Sequence, residues 1–295
     1  MPPDDPHDTA SEASLSNMSF RNDFADPALL DALTALASQA GAAIMRVRER
    51  GASVRTKADA SPVTEADEVA EAIILEGLAR VLPGVTVVSE EAASRSETPK
   101  VPDTFILVDP LDGTREFIDG RDEFTVNIAI VQSGRPVSGI VGAPALGTIW
   151  RGAIGAGAER LLLPCGANPK DAQERAGLRT SPHRDGAWRA MVSRSHPDPK
   201  TEQWLTRFPA VERMDCGSSV KFCRIAEGKA DVYPRLGRTS EWDIAAGDAV
   251  LCAAGGVVLT PEGNPVRYGQ VALDLKVPSF IAWGDAADAA RYGAT

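Results

Sequence analysis

The chain has 295 residues, 43% of them hydrophobic, enough for one large domain or two smaller ones around substantial cores. A formal net charge of −10 and a pI near 4.9 exclude a broad basic field, so a long nucleic-acid backbone is not an expected partner. A small anionic ligand would need a metal or local cations.

Residues 1 to 25 are rich in Asp, Ser, Pro and Ala and lack a basic n-region and an apolar h-region, so they read as a disordered leader rather than a signal or transit peptide. Asp26-Pro27 offers an N-cap and first-turn proline to a helix whose Leu29, Leu30, Leu33, Leu36, Ala40, Ala43, Ile44 and Val47 recur at helical spacing up to Gly51. A polar loop, 55–64, carries Lys57 and leads to a second helix with Val69, Ile73, Ile74 and Leu78; Asp67 falls in its first turn, where the dipole tolerates negative charge. A strand over 85–89 ends at Ser89-Glu90-Glu91. The apolar run Thr104-Phe105-Ile106-Leu107-Val108 then delivers Asp109-Pro110-Leu111-Asp112-Gly113-Thr114, in which Pro110 is expected to end strand pairing and Gly113 to allow close backbone approach. Thr114 stands where a helix begins and free N–H groups favour an anion.

Segments 124–132, 137–143 and 148–152 read as a β-meander. After Leu163 the pattern alternates: strand 190–193, helix 200–208, strand 211–214, helix 218–227 and strand 230–233. Glu241-Trp242-Asp243 precedes a final helix over 244–254, and strands follow near 257–259 and 280–283. This predicts an α+β half over 26–160 and an α/β half over 161–295. No uncharged apolar run approaches the roughly 20 residues of a membrane helix, so a soluble protein is expected.

Four cysteines form no C-x-x-C pair and read as reduced cytoplasmic thiols. Only His7, His183 and His196 are present, which argues against a His-rich zinc site or a Ser-His-Asp hydrolase. Carboxylates are left to do the chemistry. By itself D-x-x-D-G-T is also an ordinary turn leading into a capped helix. Acids at two further element boundaries, Glu90-Glu91 and Glu241-Trp242-Asp243, favour a site for a hard cation such as magnesium.

An acidic pair after a strand, then Asp109-Pro110-Leu111-Asp112-Gly113-Thr114, then Trp242-Asp243-Ile244-Ala245-Ala246-Gly247 with Ala254-Gly255-Gly256 after it, resemble in order the marks of the inositol monophosphatase superfamily of magnesium-dependent, lithium-sensitive phosphatases. The likeness runs from about Leu29 to Trp283. It implies a layered α-β-α-β-α sandwich of the sugar-phosphatase type, combining α+β and α/β halves, with the site between them. It further implies that Glu90, Asp109 and the Leu111 carbonyl bind one Mg2+, and that Asp109, Asp112 and Asp243 bind a second. Some relatives hold a third ion near the position of Glu90, so two or three ions and inhibition by Li+ are expected. Without cations such a cluster would repel itself. Glu90 thus belongs to both the catalytic and the metal set, while Glu91 reads as a supporting or solvated acid and is left out. The resemblance also pairs Asp67 with Thr114 to draw a proton from the attacking water; Gly113 and Thr114 would hold phosphate through N–H groups. Read alone, Asp67 is a first-turn acid.

Within the superfamily, the segments 57–64, 115–118, 123–129, 193–196, 217–223 and 233–235 resemble the 3′(2′),5′-bisphosphate nucleotidases linked to sulfur assimilation. A bisphosphorylated nucleotide needs a second anion site, for which Lys221, Arg235 and His196 are candidates. Arg235 takes a place where inositol-hydrolysing relatives have an acid. Lys221 alone reads first as part of a solvated helix face, a lone His196 as a packing or capping group, Ser218 as an N-cap or a substrate contact, and Lys57 as a loop lysine within reach of phosphate.

The expected reaction is removal of the 3′-phosphate of adenosine 3′,5′-bisphosphate (PAP), giving AMP and phosphate, with the 3′-phosphorylated sulfate donor (PAPS) as a further substrate. Inositol-1-phosphate and histidinol-phosphate phosphatases are the alternatives on the same core. A catalytically silent nucleotide-binding protein is a rival of another class. The resemblance is compatible with a homodimer and with association at the inner membrane face, although no anchor is evident. Ser89 departs from the pattern, since many relatives have glycine there; no ligand is lost by it.

Overall fold

The structure, a computed structural model, describes residues 23–56, 62–95 and 101–293. The leader up to residue 22 and the Lys57 loop therefore lie outside the described residues. Phe24, assigned above to the leader, is already buried in the core.

The first helix, α1 (Pro27–Arg50), begins as its sequence dictates: the Asp26 carboxylate accepts a hydrogen bond from the Ala28 N–H at 2.7 Å and Gly51 closes the helix at φ 83°. A short antiparallel hairpin follows, β1 (Val54–Thr56) with β2 (Pro62–Thr64). Then come α2 (Glu65–Val81), β3 (Thr86–Ser89), α3 (Glu90–Arg95), β4 (Thr104–Asp112), α4 (Thr114–Ile118), β5 (Thr125–Gln132), β6 (Arg135–Ala143), β7 (Thr148–Ala153), β8 (Gly157–Leu162) and β9 (Glu174–Leu178). Strands β3 to β9 make one seven-stranded sheet in chain order, parallel between β3 and β4 and antiparallel thereafter. The first sheet therefore continues to Leu178, past the boundary near residue 160 that the sequence suggests; β8 and β9 are mostly half-exposed or exposed, with Glu-Arg pairs and glycines that break any apolar run and hide them.

The second sheet has five strands. Its elements are β10 (Trp188–Ser193), α5 (Pro199–Leu205), β11 (Val211–Cys216), α6 (Val220–Ala226), β12 (Val232–Arg235), β13 (Thr239–Ser240), α7 (Glu241–Ala253), β14 (Val257–Leu259), β15 (Lys276–Val277), β16 (Phe280–Trp283) and α8 (Ala286–Tyr292). The order is β11-β10-β12-β16-β14, while β13 and β15 pair apart from it.

Alternation along the strands explains the layers. In β4, Ile106 and Val108 face α1 and α2, whereas Phe105 and Leu107 face α6 and α7. In β16, Phe280 and Ala282 join that central core, and Ile281 and Trp283 join a third core with Trp204 of α5 and Ala289 of α8. The inner parts of both sheets are thus covered on both faces, which is why strands such as β4, β5 and β16 read as nearly continuous apolar runs. The layers run α1/α2, first sheet, α6/α7, second sheet, α5/α8: an α-β-α-β-α sandwich.

Packing in the central layer is close. A Cβ on Gly247 of α7 would lie 2.5 Å from the Phe222 ring of α6, so only glycine lets these helices meet. By length and apolar composition α1 would pass for a membrane span, although charged residues limit its longest uncharged run to 32–45, and most of its apolar stretch is buried against α2 and the first sheet.

Candidate active site

Pro110 does not end strand pairing. β4 continues to Asp112, and its register against β5 shifts between the Asp109–Asn127 and Asp112–Thr125 pairs. Between those pairs two residues on β4, Pro110 and Leu111, oppose the single Val126 on β5, a bulge that tolerates a residue without an N–H and re-aims the side chains around it. The Leu111 N–H donates to Asp109 Oδ1 at 3.0 Å, fixing that carboxylate. Gly113 then turns the chain at φ 91°, in the left-handed region that an L side chain resists.

Two helices aim an acid at this bulge from their first turns. Asp67 is the third residue of α2, and its Oδ2 accepts from both the backbone N–H and the hydroxyl of Thr64, each at 2.8 Å. Asp243 is the third residue of α7, which starts at Glu241 rather than after Asp243; its Oδ2 accepts from the Ser240 N–H at 2.9 Å and from the Thr239 hydroxyl at 2.5 Å. Both follow a Ser/Thr-x-x-Asp capping pattern, a signal present in the sequence.

Carboxylate oxygens of Glu90, Asp109 and Asp243 lie within 4.8 Å of one another. These residues start α3, sit in the β4 bulge and start α7. Asp109 is 1% exposed, and its carboxyl is held well above the ordinary range, first by desolvation and then by Glu90, Asp112 and Asp243. Asp112 is pushed up to about 6 by desolvation and Asp243, against the pull of Lys221. Hard oxygen donors this close, with no protein cation among the three, fit a divalent metal. Asp112 and Leu111 line the same cleft, although Asp112 stands outside that tight trio. One of its oxygens is taken by the Ser219 N–H at 2.7 Å.

The cleft has a volume of about 380 Å³ and also receives Gly113, Thr114, His196, Ser218, Lys221 and Arg235. Every described site residue named from the sequence therefore lines one cleft, except Asp67, which stands directly behind Thr114 with its Oδ1 3.3 Å from the Thr114 hydroxyl. Lys57 lies outside the described residues. Lys221 is not on a solvated face: it is 3% exposed, donates to the Ser218 carbonyl at 2.6 Å and stands 5.1 Å from the Tyr233 ring centre. Ser218 does not cap α6; it adopts φ 46°, and Ser219 takes the cap position.

Ser219 is the residue that sequence reasoning passed over. Its N–H binds Asp112, its hydroxyl donates to the Asp243 carbonyl at 2.6 Å and receives Asn127 Nδ2 at 3.0 Å, so it ties the bulge to α7. Lys276, reaching the cleft from β15 with its ammonium 2.7 Å from Ser240 Oγ, was also missed; a two-residue strand has no periodicity to betray it. Arg194 clasps Glu123 and Ser195 binds Glu116, which fixes the chain that carries His196. Ser89 has a local role in place of the more usual glycine: its hydroxyl donates to Glu71, whose carboxylate also accepts the Ala92 N–H of α3.

A family model described as the inositol monophosphatase family matches residues 27–289. The 3′(2′),5′-bisphosphate nucleotidase CysQ of Escherichia coli (strain K12) is 40% identical over 244 residues, covering 81% of this chain and 94% of that protein. CysQ of Haemophilus influenzae is 31% identical, covering 87% and 93%. Among solved structures, CysQ from Bacteroides thetaiotaomicron, described as a bacterial member of the inositol monophosphatase family, superposes with a TM-score of 0.70 at 36% identity, covering 87% of this chain and 96% of that one. An inositol monophosphatase from Anabaena, at 23% identity and a TM-score of 0.66, shares the fold.

Proposed function

Since the chain belongs to the inositol monophosphatase family, we propose that it is a magnesium-dependent phosphomonoester hydrolase that removes the 3′-phosphate of adenosine 3′,5′-bisphosphate, giving AMP and phosphate, and that also accepts PAPS. The observation that carries the reading is the division of charge along one cleft: Glu90, Asp109 and Asp243 converge at one end, while His196, Lys221 and Arg235 line the rest. The names and identities of the relatives support the nucleotide in preference to an inositol phosphate.

Glu90, Asp109 and the Leu111 carbonyl would hold one Mg2+, and Asp109, Asp112 and Asp243 a second, with lithium as an inhibitor. Bound there, the ions supply Lewis-acid stabilisation of the transferring oxygens and acidify water. The protein's own residues position and move the proton. Thr114, held between Asp67 Oδ1 at 3.3 Å and the Leu111 carbonyl at 3.2 Å, orients the attacking water through its hydroxyl. Asp67 accepts the proton relayed through Thr114, its other oxygen being pinned by Thr64. The Gly113 and Thr114 N–H groups hold the phosphate, and Ser218, Lys221, His196 and Arg235 take the rest of the substrate. A cation at Arg235 disfavours a neutral polyol there.

We place the enzyme in the cytoplasm and in sulfur assimilation. A panel of phosphate esters assayed while magnesium is varied tests the whole: bisphosphonucleotide should be turned over fastest and only with metal. Faster turnover of inositol 1-phosphate or histidinol phosphate would reject the substrate assignment.

A further inference from the structure

A second cavity, about 240 Å³, opens between β12 and α5 and shares Ser193, His196 and Arg235 with the cleft, so the two form one groove divided at His196 and Arg235. Beyond that division the walls include Asp198, Glu202 and Arg238. The two acids are already engaged. Asp198 Oδ2 accepts from the Thr201 N–H at 3.0 Å and the Thr201 hydroxyl at 2.8 Å, and Glu202 pairs through both oxygens with Arg213. Arg235 and Arg238 have no carboxylate within ion-pair distance among the described residues. Arg213 does not line the pocket, but with its charge set against that of Glu202, the lining guanidiniums of Arg235 and Arg238 outnumber the one remaining carboxylate, Asp198. Arg235 feels the fields of Asp243 and Asp112 as well, which divides its attraction between the metal end and the side pocket. Arg238 borders the side pocket alone.

A substrate that delivers one phosphate to the acidic end must place any other anion away from Asp109, Asp112 and Asp243, because like charges at short range repel strongly. The side pocket is the adjoining space that offers unpaired guanidiniums, whose planar donors match phosphate oxygens. We infer that this pocket seats the anionic 5′ substituent of the nucleotide, and that Arg238 is a specificity-determining residue on its outer wall. The inference rests on the bisphosphonucleotide reading, in which His196 and Arg235 already serve the second anion, and adds to it Arg238, a residue that the motifs do not mark. Arg238 stands in the turn after β12 with its side chain exposed, so replacing it leaves the cores untouched.

The test compares the magnesium-loaded enzyme with its R238Q and R238E variants on adenosine 3′,5′-bisphosphate and on adenosine 3′-phosphate, which lacks the 5′ group. The ratio of kcat/KM for the first substrate over the second should fall about tenfold in R238Q and further in R238E, with the loss in KM, as expected when one charge-assisted contact is removed. An unchanged ratio overturns the assignment. Calorimetric titration with AMP, which keeps the 5′-phosphate, separates this from the underlying function. If neither nucleotide is hydrolysed faster than inositol 1-phosphate, the proposed reaction fails. The titration still decides the pocket: about tenfold weaker AMP binding in R238Q upholds it, and equal binding overturns it.

Discussion

The Thr114 hydroxyl stands 3.3 Å from Asp67 Oδ1, and the other oxygen of Asp67 is held by the backbone and hydroxyl of Thr64. One carboxylate therefore closes the first turn of α2 and supports the hydroxyl proposed to position water. Thr114→Ala should lower kcat by about 10²-fold or more with a smaller change in KM, the scale of a lost proton-transfer partner. Thr114→Ser should restore much of the rate. Asp67→Ala should lower kcat similarly and also cost about 1 kcal/mol of stability through the lost cap, measurable by urea unfolding. Equal kcat in wild type and Thr114→Ala would remove the hydroxyl from the mechanism.

Metal removal should loosen the acidic end, since Glu90, Asp109 and Asp243 lie within 4.8 Å of one another. Adding magnesium at a hundred times its Kd should stabilise the protein by about 2.7 kcal/mol per site, seen as a rise in Tm that a chelator reverses. In Asp109→Asn the rise should vanish together with phosphate release. A magnesium-dependent Tm shift equal to that of the wild type in Asp109→Asn would exclude Asp109 as a ligand.

Asp248, inside α7, is raised by desolvation from an ordinary 3.8 to about 6, with Tyr268 donating to it at 2.7 Å. A carboxyl whose folded value lies above its unfolded value binds more protons when folded. Its stabilising contribution is complete below about pH 3.8 and is lost as pH rises through about 6. Asp248→Asn keeps an acceptor for Tyr268 and escapes that loss, so its Tm relative to wild type should climb between pH 4.5 and 7, on the order of 1–3 kcal/mol in stability. A constant difference across that range would contradict this account.

Gly247→Ala should destabilise although alanine is the better helix former by about 1 kcal/mol. The new methyl would meet the Phe222 ring at 2.5 Å, and Phe222 is itself locked between Tyr233 and Phe280. Overpacking of this kind costs about 1–3 kcal/mol, so a net loss in urea midpoint is expected. A gain would show that the α6–α7 layer can shift.

Much of the fold was legible because its determinants are local. Asp26, Pro27 and Gly51 bound α1 by chain chemistry that spans only a few residues, and the unbroken apolar runs of β4 and β5 announce strands covered on both faces. Less legible were β8 and β9, where exposure weakens the apolar signal, β15, which at two residues has no periodicity, and the continuation of β4 past Pro110, where a bulge overrides the usual effect of proline.

The sequence by itself determined which residues could do the chemistry, since acids at element boundaries, read with the ordered motifs, single out Glu90, Asp109, Asp112 and Asp243. Only the tertiary structure decided that Glu90, Asp109 and Asp243 share one point, that Lys221 is buried and that Arg238 borders a second cavity. Element type follows from periodicities of two or about four residues, which neighbours along the chain reveal. The meeting of Asp109 with Asp243 depends on how α7 packs between two sheets, and that is set by the shapes of distant surfaces rather than by any local pattern.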